Sequence, residues 1–214
     1  MNDLVIFGAG GFGRSTHQVV EDINSLLPTW NFRGFLDDAV GFDDCLIHGY
    51  PCLGDLNWLR EAQGIHVIVA VGDPLRRSKI IERLEQFDVR FPNLIHPTAW
   101  VASRSSFGVG NIVCAGALID TDVVVGNHCL INKGVTLGHD AMIGDFCSLN
   151  PNATLGGFVN VGTASSIGMN CSIIQNKSIG EFAIIGAGTV VTADIPANSL
   201  AVGVPARIVR TIER

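Results

Sequence analysis

The sequence has little positive charge, few aromatic side chains and no long apolar run. Its 14 Lys and Arg residues face 20 Asp and Glu residues, which gives a net charge of −6, and aromatic residues make up 7% of the chain. This balance argues against a nucleic-acid-binding protein and against docking on an anionic membrane surface. Small anions remain possible ligands, because backbone N–H groups bind them without net positive charge. No apolar run approaches the ~18 residues of a membrane helix.

A secretory signal is also missing from the N-terminus, which has neither a basic start nor an apolar core followed by a small-residue cleavage site. Six cysteines without such a signal indicate a reducing compartment. We therefore expect a cytoplasmic protein without disulfides.

A period of six residues dominates the second half of the chain. Large apolar residues occupy every sixth position, namely Ile95, Val101, Phe107, Val113, Ile119, Val125, Ile131, Leu137, Ile143, Leu149, Leu155, Val161, Ile167, Ile173, Ile179, Ile185 and Val191. Mostly small or β-branched residues lie four positions after each of them, and glycine often follows directly. This period fits neither a helix nor a simple strand, but it fits a triangular solenoid with one short strand on each side. The sequence therefore predicts a β-helix of hexapeptide repeats.

The first ninety residues alternate instead between strand and helix patterns. A short buried strand at Leu4–Phe7 precedes a glycine-rich loop, and a helix pattern runs from about Ser15 to Leu26. A second strand ends at Asp37-Asp38, and further helix and strand patterns follow. We predict a Rossmann-like α/β domain at residues 1–92 and the β-helix with a C-terminal extension at residues 93–214.

The glycine loop is a candidate nucleotide site. Gly10 and Gly11 follow the first strand in the pattern GAGGFG, which lets backbone N–H groups and a helix N-terminus approach a phosphate. Asp37 or Asp38 could accept hydrogen bonds from a ribose, and Gly72 ends another strand on the same edge. About 90 residues supply little more than half a dinucleotide site, which favours a nucleotide-linked ligand over NAD. A tight turn without any ligand is the alternative.

The pair His139-Asp140 is the candidate catalytic group, because it occupies a turn between two interior positions of the repeat. A histidine can take a proton from an attacking amine or hydroxyl, and a neighbouring carboxylate can fix its tautomer. The residues alone favour a solvated pair over a catalytic one. We expect no metal site, since His128 and His139 are eleven residues apart with no third histidine nearby.

Several motifs together resemble the hexapeptide-repeat sugar acetyltransferases with an N-terminal nucleotide-sugar domain, a family that includes nucleotide-4-amino-sugar N-acetyltransferases and sialic-acid O-acetyltransferases. These motifs are GAGGFG with Asp37-Asp38, Asn93–Pro97, Gly138–Asp140, Ile143–Phe146, Ile185–Gly188 and Gly203–Ala206. The resemblance covers essentially the whole chain. It implies a left-handed parallel β-helix that forms a homotrimer, with acetyl-CoA and a nucleotide sugar bound between neighbouring prisms.

The resemblance also implies roles for individual residues. His139 would be the general base, Asp140 its orienting partner and the Gly157 N–H the oxyanion donor. Acetyl-CoA would lie against Gly157, Gly168, Met169, Ala187, Gly203 and Pro205, and the acceptor against Gly10, Gly11, Phe12, Asp37, Asp38, Gly72 and Asn132. Two positions depart from the family pattern, because relatives often carry histidine in place of Phe12 and of Ser148.

These observations lead to a functional hypothesis. We expect an acetyl-CoA-dependent N-acetyltransferase that acts on the amine of a nucleotide-activated amino sugar, by direct transfer, in surface polysaccharide biosynthesis. An O-acetyltransferase of a sialic acid or another free sugar is one alternative, and the absent loop histidine favours it slightly. A non-catalytic nucleotide-sugar-binding trimer and a small NAD-dependent oxidoreductase are the others.

Overall fold

A computed structural model describes residues 1–39 and 45–213. The N-terminal part is a six-stranded sheet flanked by helices. Its elements are β1 (Asn2–Phe7), α1 (Gly11–Leu26), β2 (Trp30–Leu36), β3 (Leu46–Ile47), β4 (Tyr50–Gly54), a 3₁₀ turn (Leu56–Arg60), β5 (Ile65–Val69), α2 (Pro74–Leu84) and β6 (Val89–Arg90). No helix in these described residues is long and apolar enough to cross a membrane.

The sheet has the strand order β3-β4-β2-β1-β5-β6, and all its neighbours are parallel except the β3–β4 hairpin. The central strand β1 is almost fully buried from Leu4 onwards, which explains its uninterrupted apolar sequence. Helix α1 begins at Gly11, four residues earlier than the sequence predicts. The glycine loop is therefore shorter than expected, and its last glycines already belong to the helix.

The β-helix consists of seventeen two-residue strands on three parallel faces, numbered in the order in which the chain meets them. Face 1 holds β7 (Leu94–Ile95), β10 (Ile112–Val113), β13 (Leu130–Ile131), β16 (Ser148–Leu149), β19 (Ser166–Ile167) and β22 (Ile184–Ile185). Face 2 holds β8 (Trp100–Val101), β11 (Leu118–Ile119), β14 (Thr136–Leu137), β17 (Thr154–Leu155), β20 (Ser172–Ile173) and β23 (Val190–Val191). Face 3 holds β9 (Ser106–Phe107), β12 (Val124–Val125), β15 (Met142–Ile143), β18 (Asn160–Val161) and β21 (Ser178–Ile179).

Residues eighteen apart pair in register from one coil to the next, so equivalent positions form columns. The second residue of each strand points into the prism, and nearly all of them are buried in one continuous core. The small positions fill the same interior, including Cys129 and Cys147, which are fully buried, and all the described cysteines are free thiols. The six-residue pattern thus encodes one interior for the whole prism, as the sequence predicts.

The chain ends in an antiparallel hairpin of β24 (Ser199–Val202) and β25 (Arg207–Thr211), and β24 extends face 1 beyond β22. The turn between these strands crosses to face 2, where the Val190 N–H donates to the Gly203 carbonyl at 3.0 Å and the Ala206 N–H to the Val190 carbonyl at 2.8 Å. The C-terminal turn is therefore fixed at the edge where face 1 meets face 2.

The α/β domain packs against face 1. Leu94, Ile112 and Leu130 project outward from that face and share a buried cluster with β1, β2 and α1. The His96 imidazole on the first coil lies 2.8 Å from the Asp22 carboxylate on α1, which adds a polar contact between the two parts. Burial of this apolar surface stabilises the docking of the α/β domain on face 1.

Arg77 of α2 is the largest fully buried side chain in the described chain, and it joins the two parts. Its guanidinium donates across the interface to the carbonyls of His128 at 2.8 Å, Phe146 at 2.6 Å and Cys147 at 3.2 Å, and to Ser148 Oγ at 3.0 Å. It also donates to the Val71 carbonyl on its own side. Burial lowers the pKa of this guanidinium to about 10, so it stays charged at neutral pH. Nothing in the sequence distinguishes Arg77 from the exposed Arg76 beside it.

Candidate active site

His139 lies at the corner between faces 2 and 3, on the turn after β14. Its Nδ1 is 2.8 Å from Asp140 Oδ2, and its side chain is 50% exposed. If the Nδ1 proton is directed at the carboxylate, Nε2 keeps a lone pair and can accept a proton. The sequence-predicted pair is therefore in contact and sterically open to a substrate.

Gly157 lies directly above His139 in the next coil. A Cβ built on Gly157 would come within 2.7 Å of the His139 Cε1 and Nε2 atoms, so only glycine lets the imidazole approach this closely. The Gly157 N–H has no acceptor among the described residues, because the turn uses the N–H groups of Gly156 and Phe158 instead. A free N–H beside the imidazole is what an oxyanion donor requires.

The glycines of the loop differ in whether the backbone leaves room for a side chain. A Cβ on Gly13 would overlap the Gly8 carbonyl oxygen, and Gly8 itself has φ of +111°, so both are required by the backbone. A Cβ on Gly10 would meet nothing within 4 Å, and one on Gly11 only the end of the Arg14 side chain. The protein itself therefore does not need glycine at 10 and 11, which leaves room for a ligand beside the loop.

The two aspartates after β2 are both engaged within the domain. Asp37 accepts hydrogen bonds from the N–H groups of Ala9 and Ala39, each at 2.9 Å, and so braces the glycine loop. Asp38 forms a two-pronged ion pair with Arg83 of α2 at 2.6 and 3.0 Å, and the hydrogen bonds from Arg83 lower the pKa of this carboxyl. Both stand at the carboxyl edge of the sheet with Gly72, as the sequence predicts.

The remaining site residues gather at a different corner, between faces 1 and 2. Asn132, Gly168, Met169 and Ala187 fall on turns of this corner, with Gly168 and Met169 one coil below Ala187 and Asn132 two coils below them. The Met169 carbonyl accepts from the Gly188 N–H at 2.8 Å, and the C-terminal turn with Gly203 and Pro205 closes the top of the same edge. The structure thus brings the predicted acetyl-CoA contacts together, with the exception of Gly157.

The α/β domain and His139 lie on opposite sides of the prism. The domain covers face 1, whereas the corner between faces 2 and 3 is the vertex opposite that face. Asn132 and His139 belong to the same coil but to different corners, separated by β14. Within one chain, the glycine loop therefore does not face the candidate base.

The two departures from the family pattern have structural explanations. Phe12 packs its ring against the core shared by α1 and the sheet, so it offers no polar group to a ligand. Ser148 is buried on face 1, where its hydroxyl donates to the Gly72 carbonyl at 2.7 Å and accepts from Arg77. Ser148 thus lies beneath the α/β domain, and its side chain takes part in the contact between the two parts.

Comparison with known proteins places this chain in a family. Residues 3–84 match the PglD N-terminal domain, and residues 122–157 match the bacterial transferase hexapeptide, six repeats. The acetyltransferase domain of PglB from Neisseria gonorrhoeae superposes with a TM-score of 0.90 at 28% identity, over 98% of this chain and all of that one. PerB from Caulobacter crescentus, solved with CoA and GDP-perosamine, superposes with a TM-score of 0.88 at 32% identity, over 97% of both chains.

Among curated sequences, a putative acetyltransferase from Schizosaccharomyces pombe is 58% identical over 40 residues, which is 19% of each chain. The chain thus matches only about a fifth of the length of such relatives. The full-length structural matches carry more weight, and the chain belongs to the hexapeptide-repeat sugar acetyltransferases that have a PglD-type N-terminal domain. The predicted fold class, a Rossmann-like α/β domain followed by a left-handed parallel β-helix, is confirmed.

Proposed function

We propose that this protein transfers the acetyl group of acetyl-CoA to the amine of a nucleotide-activated amino sugar. The observation that carries the proposal is the arrangement of His139, Asp140 and the free Gly157 N–H at one corner of the prism. PerB, at 32% identity over nearly the whole chain, was solved with CoA and GDP-perosamine, which supports both substrate classes. Acetyl-CoA would lie along Gly168, Met169, Ala187 and the turn with Gly203 and Pro205.

The proposed reaction is a direct transfer. The neutral amine attacks the thioester carbonyl, and His139 Nε2 accepts the proton that the nitrogen loses as the C–N bond forms. The Gly157 N–H donates to the oxyanion of the tetrahedral intermediate. When the C–S bond breaks, the imidazolium returns the proton to the departing CoA thiolate. Asp140 keeps Nδ1 protonated throughout, so that Nε2 stays the accepting atom.

A homotrimer is part of the proposal, because a nucleotide sugar held by the α/β domain on face 1 needs a base from another chain. Large apolar side chains are exposed on both sides of the His139 corner, namely Leu118 on face 2 and Val124 and Met142 on face 3. Exposed apolar surface of this kind favours burial against a neighbouring copy. The neighbour's corner between faces 1 and 2 would then complete the site with Asn132 and the acetyl-CoA contacts.

We expect light scattering of the purified protein at micromolar concentration to give the mass of a trimer. Mixed trimers offer a second measurement. His139→Ala, which lacks the base, and Gly10→Val, whose loop is blocked, should each show little activity at a low acceptor concentration and should regain part of it when refolded together. A monomer in solution, or inactive mixed trimers, would contradict a site shared between chains.

The glycine loop provides a test of nucleotide-sugar binding. Gly10→Val should fold normally, because a Cβ there meets no protein atom, and should raise the acceptor KM at least about tenfold by obstructing the phosphate. Acetyl-CoA affinity, measured by calorimetry, should not change. Gly13→Ala is the contrasting variant, and it should destabilise the domain itself because its Cβ would overlap the Gly8 carbonyl.

An O-acetyltransferase of a sialic acid or another free sugar is the second candidate. Its supporting observation is Phe12, which fills the loop position of the family histidine with an apolar side chain packed into the core. If Gly10→Val leaves the acceptor KM unchanged in a folded trimer, the loop is only a turn. The O-acetyltransferase is then the better-supported candidate. A thermal-shift comparison of UDP-, GDP- and dTDP-sugars with free sialic acid separates the two.

A further inference from the structure

Phe158 is an aromatic residue at a turn position whose left-handed backbone conformation favours short polar side chains. It lies one coil above Asp140 at the corner between faces 2 and 3, with φ of +58°. The equivalent positions of three other coils at this corner hold Asp122, Asp140 and Asn176, also at positive φ. Short polar side chains tolerate this left-handed conformation, whereas a bulky aromatic side chain disfavours it. Phe158 is also 54% exposed, so burial does not offset that cost.

The side chain of Phe158 contacts the candidate base. Its ring centroid lies 5.2 Å from that of the His139 imidazole, and the two planes are nearly perpendicular at 89°. The Phe158 N–H also donates to the His139 carbonyl at 2.9 Å, which ties the two residues together across the coils. Perpendicular ring pairs at this distance attract each other beyond simple area burial.

His139 is thus held by three different contacts. Asp140 binds Nδ1 at 2.8 Å, the Gly157 backbone lies against the Cε1–Nε2 edge, and the Phe158 ring packs against the imidazole. A half-exposed histidine with one hydrogen bond would still exchange between rotamers. The contact with the Phe158 ring restricts rotation of the imidazole on the side that the Asp140 carboxylate does not hold.

We infer that Phe158 is a positioning residue for His139, which holds the imidazole with Nε2 directed at the acceptor amine. This inference rests on the proposed function, since it presumes that His139 is the base. Phe158 does not exchange protons itself. Its effect is on the geometry of proton transfer, where small misplacements have large consequences for rate.

The decisive variant is Phe158→Asn, because asparagine occupies the same turn position at Asn176 and relieves the backbone. The variant should be at least as heat-stable as the wild type, and its kcat should be about tenfold lower with an unchanged acetyl-CoA KM. Phe158→Tyr keeps the ring and should retain most of the activity. Phe182→Ala removes a phenylalanine at the same left-handed turn position of another corner, φ +57°, and should leave kcat near the wild-type value.

A spectroscopic measurement reports on the contact itself. In protein carrying ¹³C-labelled histidine, the carbon-bound imidazole protons of His139, assigned from their loss in His139→Ala, should carry a ring-current shift. That shift should disappear in Phe158→Asn and persist in Phe158→Tyr. A kcat within twofold of wild type in Phe158→Asn, or unchanged His139 resonances, would overturn the inference. Full activity in His139→Ala would instead overturn the proposed base, so the two failures are distinguishable.

Discussion

Replacing His139 by alanine is expected to lower kcat at least about 100-fold, the loss typical of removing a general base. The variant should fold normally, because the side chain is half exposed and lies at the surface of the prism against Asp140, Gly157 and Phe158. Acetyl-CoA affinity should stay near the wild-type value, since none of the predicted acetyl-CoA contacts is made by the His139 side chain. Steady-state kinetics give kcat, and calorimetry on the same preparation gives the acetyl-CoA affinity.

Asp140→Asn is the companion variant and should cost less than His139→Ala, because the imidazole remains and only its orientation weakens. Asp122→Asn provides the matched control, since it makes the same change at the same turn position one coil below. It should leave the rate unchanged. Activity of His139→Ala within a few-fold of wild type would refute the assignment of the base.

Arg77→Ala is expected to be the most destabilising single change in the protein, by about 3 kcal/mol or more in the free energy of unfolding. The substitution removes a buried guanidinium that satisfies five carbonyl groups and the Ser148 hydroxyl, and it leaves a cavity where the two parts meet. Each acceptor left without a donor adds its own desolvation cost. Urea unfolding measures the loss, and limited proteolysis reports whether the α/β domain stays docked.

Arg76→Ala is the control for this experiment, because Arg76 is the neighbouring residue of the same helix but is exposed. Its effect should stay within about 0.5 kcal/mol. Arg77→Lys should recover only part of the stability, since an ammonium group cannot reproduce the planar set of donors. Equal stabilities of Arg77→Ala and Arg76→Ala would show that the buried network contributes nothing to docking.

The candidate site was only partly accessible to sequence reasoning. His139-Asp140 stands out because the repeat assigns neighbouring positions to the interior and leaves this pair outside. The roles of Gly157 and Met169 came from family resemblance, and the sequence contains no separate signal for them. Phe158 carried no signal either, because its contact with His139 joins residues of two coils and its significance depends on the sign of a backbone angle. The sequence predicts the start of α1 four residues too late, because glycines are poor helix formers on average.

The β-helix could be predicted residue by residue, because its interior is set by local spacing. Each coil repeats the same geometry, so an apolar residue every sixth position and a small residue four positions later determine which side chains are buried. The alternation of strands and helices before it was likewise readable, since each element carries its own periodicity.

Only the tertiary structure decided how the two parts are combined. The six-residue period treats the three faces alike, so it could not indicate that the α/β domain covers face 1 or that His139 points away from that domain. Those outcomes depend on contacts such as the one between Arg77 and the carbonyl of His128, which join residues far apart in the sequence. The burial of Arg77 and Ser148 has the same origin, because a polar residue enters an interface only when partners from another element satisfy it.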